Sequence, residues 1–236
     1  VKPFNIKFLV IESAKGEYKH AFAKHPEIKM SVYGTNPKKT PLLRINPFKF
    51  PEDIHILEHI DRLIEIFNVC WPMYAAMPAI LKDAIERAYI ICGWTLESSE
   101  YNYNFSKHII YPNFADVLEQ IEVVLFESSY SSDNKSDYIG ALSTRLKSLT
   151  NGINGQIFTS NDLTDDELFN ENVIVDLSRV GSTETKSLIM GLLVIKLQEY
   201  RMASDLKPNQ PLNHVTILEE AHNLLKKTST EQSSEG

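Results

Sequence analysis

The sequence predicts an α/β protein with a mostly parallel sheet flanked by helices and a helical insertion within it. Three short apolar runs without polar alternation each end on an acid, at residues 8–11, 173–175 and 215–218. Such runs are typical of strands buried on both faces of a parallel sheet. A long helical pattern, from Ser182 or Thr183 to about Met202, joins the last two runs. A strand, a helix and a second strand form a crossover unit, which is how parallel strands are connected.

Residues 47–152 show helical spacing instead, and we expect them to form the insertion within one core covering residues 1–236. Apolar residues recur every three or four positions in this stretch. The predicted helices span about 54–67, 78–92, 113–127 and 137–149, and a Ser- and Asp-rich surface loop is predicted at 128–136. A fourth strand is predicted at 156–159, and a capping box at Thr164 predicts a short helix after it.

Composition limits the class of protein. The chain of 236 residues is 43% hydrophobic and 10% aromatic, which is enough for a sizeable core and excludes disorder throughout. Its net charge of −7 does not favour nucleic-acid binding over the whole surface, although a local basic lining remains compatible with it.

Two features predict a cytoplasmic protein without a membrane partner. Cys70 and Cys92 both lie in apolar surroundings, so we expect buried free thiols in a reducing compartment. The longest apolar run, residues 69–81, is too short to span a bilayer and is broken by Pro72 and Pro78.

The acids that end the three strands predict a ligand site. Glu12, Asp176 and the pair Glu219 and Glu220 follow the apolar runs directly. In an open parallel sheet the carboxyl ends of the strands meet at one edge, where ligands bind. Several carboxylates there favour Mg²⁺, which prefers oxygen ligands and often arrives with phosphates. Asp176 taken alone is more typical of a solvated loop acid.

The segment 215–220 also has the pattern of the second nucleotide motif of phosphate-loop ATPases. Four apolar residues precede two acids, of which the first holds Mg²⁺ and the second polarises the attacking water. The accompanying motif G-x-x-x-x-G-K-[ST], which holds the phosphates, does not occur around any of the nine glycines.

Several blocks in order resemble HerA-like ATPases. Glu12, followed by Gly16-Glu17-Tyr18, resembles the second-strand signature of that family, and residues 217–222 resemble its Walker B segment. Residues 138–142, 145–149 and 173–182 also follow bacterial members, as do Asn46-Pro-Phe and residues 58–68.

The resemblance implies a RecA-like motor core related to FtsK-type translocases. Such proteins form hexameric rings that use ATP and Mg²⁺ to move double-stranded DNA, and some work with a NurA-type nuclease or a defence effector. Glu219 would then face Mg²⁺, Glu220 would activate the water, and Glu12 would lie near the γ-phosphate. Arg145 and Arg179 are candidates for a trans-acting or sensor arginine, although surface or ion-paired arginines are the commoner case. We expect the family's phosphate loop before Val1 and its closing strands after Gly236, which would make this chain the central part of such an ATPase.

Two other interpretations stay open. Without a phosphate loop the chain is also compatible with a catalytically silent interaction or oligomerisation module of the same fold. The spacing His55-x-x-Glu58-His59 matches an inverted zinc-protease motif, in which both histidines bind zinc and Glu58 activates a water. That interpretation requires a third ligand such as Glu119 or Glu122.

Overall fold

The computed structural model describes residues 6–22, 24, 25, 27–204 and 211–222. The chain divides into two compact units: a sheet unit within Val1–Leu43 and Leu163–Gly236, and a helical unit, Arg44–Asp162. In chain order the elements of the described residues are β1 (Lys7–Glu12), α1 (Tyr18–Phe22), β2 (Ser31–Gly34), α2 (Ile56–Cys70), α3 (Met77–Ile91), β3 (Trp94–Thr95), β4 (Glu100–Tyr101), α4 (Phe114–Glu127), α5 (Ser132–Thr150), α6 (Gly152–Ile157), α7 (Asp165–Phe169), β5 (Val173–Asp176), α8 (Thr183–Met202) and β6 (His214–Leu218).

The sheet unit contains a four-stranded, fully parallel sheet in the order β2-β5-β1-β6. All four residues of β5 are buried, as are the last four of β1. These are the strands that the unalternating apolar runs predict, because a strand covered on both faces has no polar side. The fold class is therefore α/β, as predicted, with a parallel sheet flanked by helices that is consistent with a RecA-like fold.

The connection from β5 to β6 is the crossover that the sequence predicts. Helix α8 begins after Ser182, whose hydroxyl accepts a hydrogen bond from the backbone N–H of Thr185 at 3.2 Å. Strand β1 lies between β5 and β6, so α8 carries the chain past one strand. This order brings the amino-terminal strand into the centre of the sheet, next to the two acid-ended strands from the other end of the chain.

The helical unit is built around aromatic side chains. Phe48 and Phe114 pack edge to face with ring centroids 5.1 Å apart, and both are buried. The buried Tyr89 hydroxyl donates to the Phe48 carbonyl, which satisfies a polar group in an apolar core. Helix α4 starts with a capping box, in which Asn113 and Asp116 each accept a backbone N–H from the other residue. Strands β3 and β4 form an antiparallel pair.

Two local predictions are wrong. Residues 156–159 are not a strand, because the chain is helical as far as Ile157 and only Phe158 forms a bridge, to Ile45. The predicted surface loop is shorter than expected, because the Ser131 hydroxyl accepts from the Asn134 N–H and α5 already begins at Ser132. Strand β2 was not predicted from the sequence, since its four residues carry little apolar pattern.

Both cysteines are buried free thiols, as predicted. Burial raises the pKa of the Cys92 thiol to about 11, with the charge of Asp116 adding to the effect. Among the helices of the described residues, none combines the length and apolar character that crossing a membrane requires.

Candidate functional site

Three strands of the sheet end at one place and bring their acids together. Glu12 pairs with Asp176 in the register of β1 and β5, and Ile11 pairs with Leu218 in that of β1 and β6. Glu219 therefore comes level with Glu12, and its backbone N–H donates to the Ile11 carbonyl at 3.0 Å. We call this end of the sheet, with Glu12, Asp176 and Glu219, the acidic edge.

Glu12 lies at the centre of the acidic edge and is fully buried. Burial raises the pKa of its carboxyl, because water no longer solvates the charged form. Hydrogen bonds donated by the backbone N–H groups of Glu17 and Tyr18 act in the opposite direction, and the negative charges of Glu219 and Asp176 raise the pKa further. The two neighbouring acids are therefore close enough to influence the protonation of Glu12.

Glu219 fastens the end of β6 to the loop that follows β1. Its Oε2 accepts hydrogen bonds from the backbone N–H groups of Ser13 at 3.0 Å and Ala14 at 2.9 Å. The Ser13 hydroxyl in turn donates to the Glu219 carbonyl at 3.2 Å. The carboxylate therefore has a fixed position, while Oε1 has no hydrogen-bond partner among the described residues.

Glu220 occupies an unusual backbone conformation. Its φ is +57°, in the left-handed region that costs a non-glycine residue roughly 1–2 kcal/mol. The side chain is 44% exposed, and its Oε2 lies 3.3 Å from Nε2 of His222. Such backbone strain persists when the surrounding structure holds it, and here the preceding residue, Glu219, is held by the loop after β1.

Asp176 is buried and paired, so the expectation of a solvated loop acid is wrong. Its Oδ2 lies 2.6 Å from the Lys19 ammonium, and Oδ1 accepts from the backbone N–H and the hydroxyl of Ser178 at 3.0 and 2.5 Å. Burial alone would raise the pKa of this carboxyl, but Lys19 and Ser178 outweigh it and the pKa is lowered. Asp176 is therefore held in its charged form.

Gly16 is required for this arrangement. Its φ is +70°, and a Cβ there would lie 3.1 Å from the Ser178 Oγ and 3.2 Å from Oδ2 of Asp176. A side chain here would be strained by the left-handed backbone and would press on Ser178 and Asp176, so glycine favours the close approach of this loop to β5.

Two lysines at the acidic edge were missed by the sequence analysis. Lys19, in α1, pairs with Asp176, and Lys186, near the start of α8, donates to the Ser13 carbonyl at 2.8 Å. A lysine in an amphipathic stretch has no sequence pattern that identifies its partner. The positions of α1 and α8 in the structure show that Lys19 binds Asp176 and Lys186 binds the Ser13 carbonyl. Lys19 therefore places positive charge next to Asp176, whereas Lys186 binds the backbone of the loop that also holds Glu219.

The two candidate arginines lie in different settings. Arg179 is exposed in the loop between β5 and α8, which starts from the acidic edge. Arg145 belongs to the helical unit, where its guanidinium donates to the carbonyls of Ala141 and Pro72, both at 3.3 Å. Their trans-acting or sensor roles stay predictions.

The carboxylates of the acidic edge suit Mg²⁺ only if water and phosphate oxygens supply the remaining ligands. Within the described ranges, no group of three or more His, Cys, Asp or Glu side chains is arranged to hold a metal ion. Mg²⁺, however, commonly uses one or two carboxylates and completes its shell with water and substrate phosphates. The fixed carboxylate of Glu219, with its second oxygen available, meets that requirement.

The positions of His55 and His59 contradict the zinc interpretation. His55 is not in α2 but is its N-cap residue, with extended backbone and with Nδ1 accepting from the Leu57 N–H at 3.2 Å. His59 is fully buried with Nε2 3.1 Å from the Pro47 carbonyl, and Glu58 pairs with Arg62. The two histidines therefore do not form one helical face. The proposed third ligands, Glu119 and Glu122, are exposed and form no metal group with them within the described ranges.

Comparison with known structures supports the fold. The chain resembles the structure of VirB4 of Thermoanaerobacter pseudethanolicus, with a TM-score of 0.57. The similarity covers 92% of this chain and 76% of the VirB4 chain at 17% sequence identity. No protein-family model matches the chain, and no curated protein sequence matches it. The likeness therefore concerns the fold.

Proposed function

We propose that this chain supplies the acid-bearing half of the ATP site in an ATP-dependent translocase or helicase of the HerA/FtsK type that acts on double-stranded DNA. The observation that carries the proposal is the meeting of Glu12 and Glu219 at one sheet edge, although they lie near opposite ends of the sequence. The sequence resemblance and the fold shared with VirB4 both favour an ATPase of this class.

In this proposal each acid has a separate role in phosphoryl transfer. Glu219 would hold Mg²⁺, which when bound neutralises charge on the phosphates. Glu220, on the strained turn beside it, would orient the attacking water, and the buried Glu12 would lie near the γ-phosphate. The cradle for the ATP phosphates would come from polypeptide outside these 236 residues, since the phosphate-loop motif does not occur within them.

The wider assembly follows from the same proposal. A HerA/FtsK-type ATPase acts as a hexameric ring around double-stranded DNA, so self-association and DNA are the expected partners, with a NurA-type nuclease or a defence effector as further partners. Arg145 and Arg179 are the residues to examine for a contribution to a neighbouring subunit's site.

The experiment measures DNA-stimulated ATP hydrolysis by the natural gene product with its phosphate loop. Glu220→Gln removes the group that orients water, so we expect hydrolysis to fall about 10²–10⁴-fold. Glu65→Gln is the matched control, because Glu65 is an exposed acid in α2 of the helical unit, and its rate is expected to stay near that of the unaltered protein. If the gene encodes no G-x-x-x-x-G-K-[ST] motif before Val1, the ATPase proposal fails.

A specific observation favours the silent module as a second candidate. The hydrogen bonds of Glu12 and Glu219 go to backbone N–H groups of the loop after β1, so both acids have a structural use without any nucleotide. If the protein with an intact phosphate loop hydrolyses no ATP and Glu220→Gln leaves it unchanged, this candidate replaces the ATPase.

A further inference from the structure

The helical unit contains an aromatic cavity that the proposed ATP chemistry does not use. Its volume is about 350 Å³. The rings that line it are in mutual contact, since the Trp94 centroid lies 5.2 Å from that of Phe50 and 5.5 Å from that of Tyr101. Tyr103 and Tyr111 complete the aromatic lining. Tyr103 is 62% exposed, so the cavity is accessible from solvent at this side chain.

The polar lining of the aromatic cavity is acidic. Glu52 and Glu100 line it, both are exposed, and neither has an ion-pair partner among the described residues. Of the described residues that line the cavity, none is Lys, Arg or His. The negative faces of the aromatic rings and the two carboxylates therefore attract the same kind of group, a cation.

One buried polar atom in the lining lacks a partner. The Tyr101 hydroxyl forms no hydrogen bond within the described part of the chain. The side chain is buried, with 8% of the residue exposed. The neighbouring Trp94 indole, by contrast, donates to the Ile110 carbonyl at 2.8 Å. A buried hydroxyl without a partner costs free energy that a ligand can recover by donating or accepting a hydrogen bond.

We propose that the aromatic cavity binds the guanidinium group of an arginine side chain from a partner protein. A guanidinium is planar, stacks on aromatic faces and is more weakly hydrated than an ammonium group. Its five N–H donors can pair with carboxylates such as those of Glu52 and Glu100. This inference does not depend on ATP hydrolysis, because the cavity residues all belong to the helical unit.

The experiment titrates the 236-residue chain with three short peptides and follows its indole N–H signals by NMR. The peptides are acetyl-Gly-Arg-Gly-amide, its citrulline analogue of the same shape without charge, and its lysine analogue. The chain has two tryptophans, so Trp94 reports on the cavity and Trp71, buried against Phe67, serves as the reference. We expect the arginine peptide to shift the Trp94 signal with saturation, and citrulline to bind at least about tenfold more weakly.

Surface variants test which groups bind the cation. Tyr103→Leu and Glu100→Gln are each expected to weaken arginine binding about two- to fivefold, because one removes an aromatic face and the other a charge. Phe126→Leu and Glu97→Gln are the matched controls, since both residues are exposed in the helical unit and outside the cavity lining. The proposal is overturned if citrulline or lysine binds as tightly as arginine. It is also overturned if the Trp94 signal does not move or if both cavity variants bind like the unaltered chain.

Discussion

Lys19 supplies the positive charge that keeps Asp176 ionised in a buried position. The Asp176 side chain is 5% exposed and that of Lys19 24% exposed, so the pair is only weakly screened by water. Removing one partner of such a pair leaves an uncompensated charge, which costs more than the pair itself contributes. The pair joins α1 to β5, so it also fixes the loop that holds Glu219.

Lys19→Met tests this pairing. Because Lys19 is partly exposed, we expect the free energy of unfolding at pH 7 to fall by about 2 kcal/mol, less than the ~3–5 kcal/mol typical of a fully buried pair. The measurement is urea unfolding, with the exposed Lys24→Met as the control. The pair lowers the pKa of Asp176, so its contribution is present above the usual pKa of 3.8 and disappears as the pH falls through the folded-state pKa. Equal stability of the two variants at pH 7 would contradict this account.

The contribution of Glu12 to the free energy of unfolding has the opposite dependence on pH. Its pKa is raised above the usual 4.5, so the folded state favours the protonated form. The resulting stabilisation is complete below the unfolded-state pKa and is lost as the pH rises through the folded-state pKa. Glu12→Gln removes this titration while keeping an oxygen that can accept the N–H groups of Glu17 and Tyr18.

We therefore expect the stability of Glu12→Gln relative to the unaltered chain to increase as the pH rises from about 4.5 to 7.5. Urea unfolding at a series of pH values measures this difference. Glu65→Gln, at an exposed glutamate of α2, serves as the control for replacing a carboxyl group by an amide. A difference that stays constant or decreases with pH would show that burial does not govern the protonation of Glu12.

At the scale of elements, the exact start of a helix determines whether a side chain caps the first turn or lies on the helical face. His55 is the N-cap of α2, so its side chain does not lie on the helical face that a zinc motif requires. Asn113 is the N-cap of α4, and its side-chain oxygen accepts two backbone N–H groups at 2.7 and 3.4 Å. An N-cap residue has extended backbone, so its side chain leaves the periodic face of the helix.

Asn113→Ala measures the contribution of the α4 capping box. We expect a loss of about 1 kcal/mol in the free energy of unfolding, because the N–H groups of Ala115 and Asp116 lose the side-chain oxygen that accepts them, while the backbone N–H of residue 113 can still donate to Asp116. Asn161→Ala is the control, an exposed asparagine in the same unit whose substitution is expected to change stability by less than about 0.5 kcal/mol. Thermal or urea unfolding followed by circular dichroism distinguishes the two, and an equal effect of both would argue against the cap.

Sequence pattern predicts elements well where burial alone determines them. Strands β1 and β5 follow from continuous apolar runs because they are buried, whereas β6 forms as predicted but is not buried on both faces, since Val215 and Ile217 are exposed. The placement of the acids at one edge follows from parallel strands ending together. The error at 156–159 has a physical origin, since two adjacent apolar residues, Ile157 and Phe158, fit a short strand or the last turn of a helix equally well. The pairing of Lys19 with Asp176 depends on the close approach that Gly16 permits, which sequence spacing does not express.

At the scale of the whole molecule, one unit carries the acids and the other carries the aromatic cavity. The ordered blocks that resemble HerA-like ATPases imply the same fold that the likeness to VirB4 supports, although the sequence identity is only 17%. The roles of Glu12, Glu219 and Glu220, the DNA partner and the ring stay proposals, because a fold is compatible with more than one chemistry.

The most direct test of the acidic edge is the affinity for ATP at a series of Mg²⁺ concentrations, measured on the natural gene product. The account predicts that Glu219→Gln needs roughly tenfold more Mg²⁺ for the same ATP affinity, since it weakens a charged metal contact. Glu220→Gln is expected to bind ATP like the unaltered protein and to fail only in hydrolysis. Two variants that bind and hydrolyse ATP as the unaltered protein does would contradict the division of roles between these neighbouring acids.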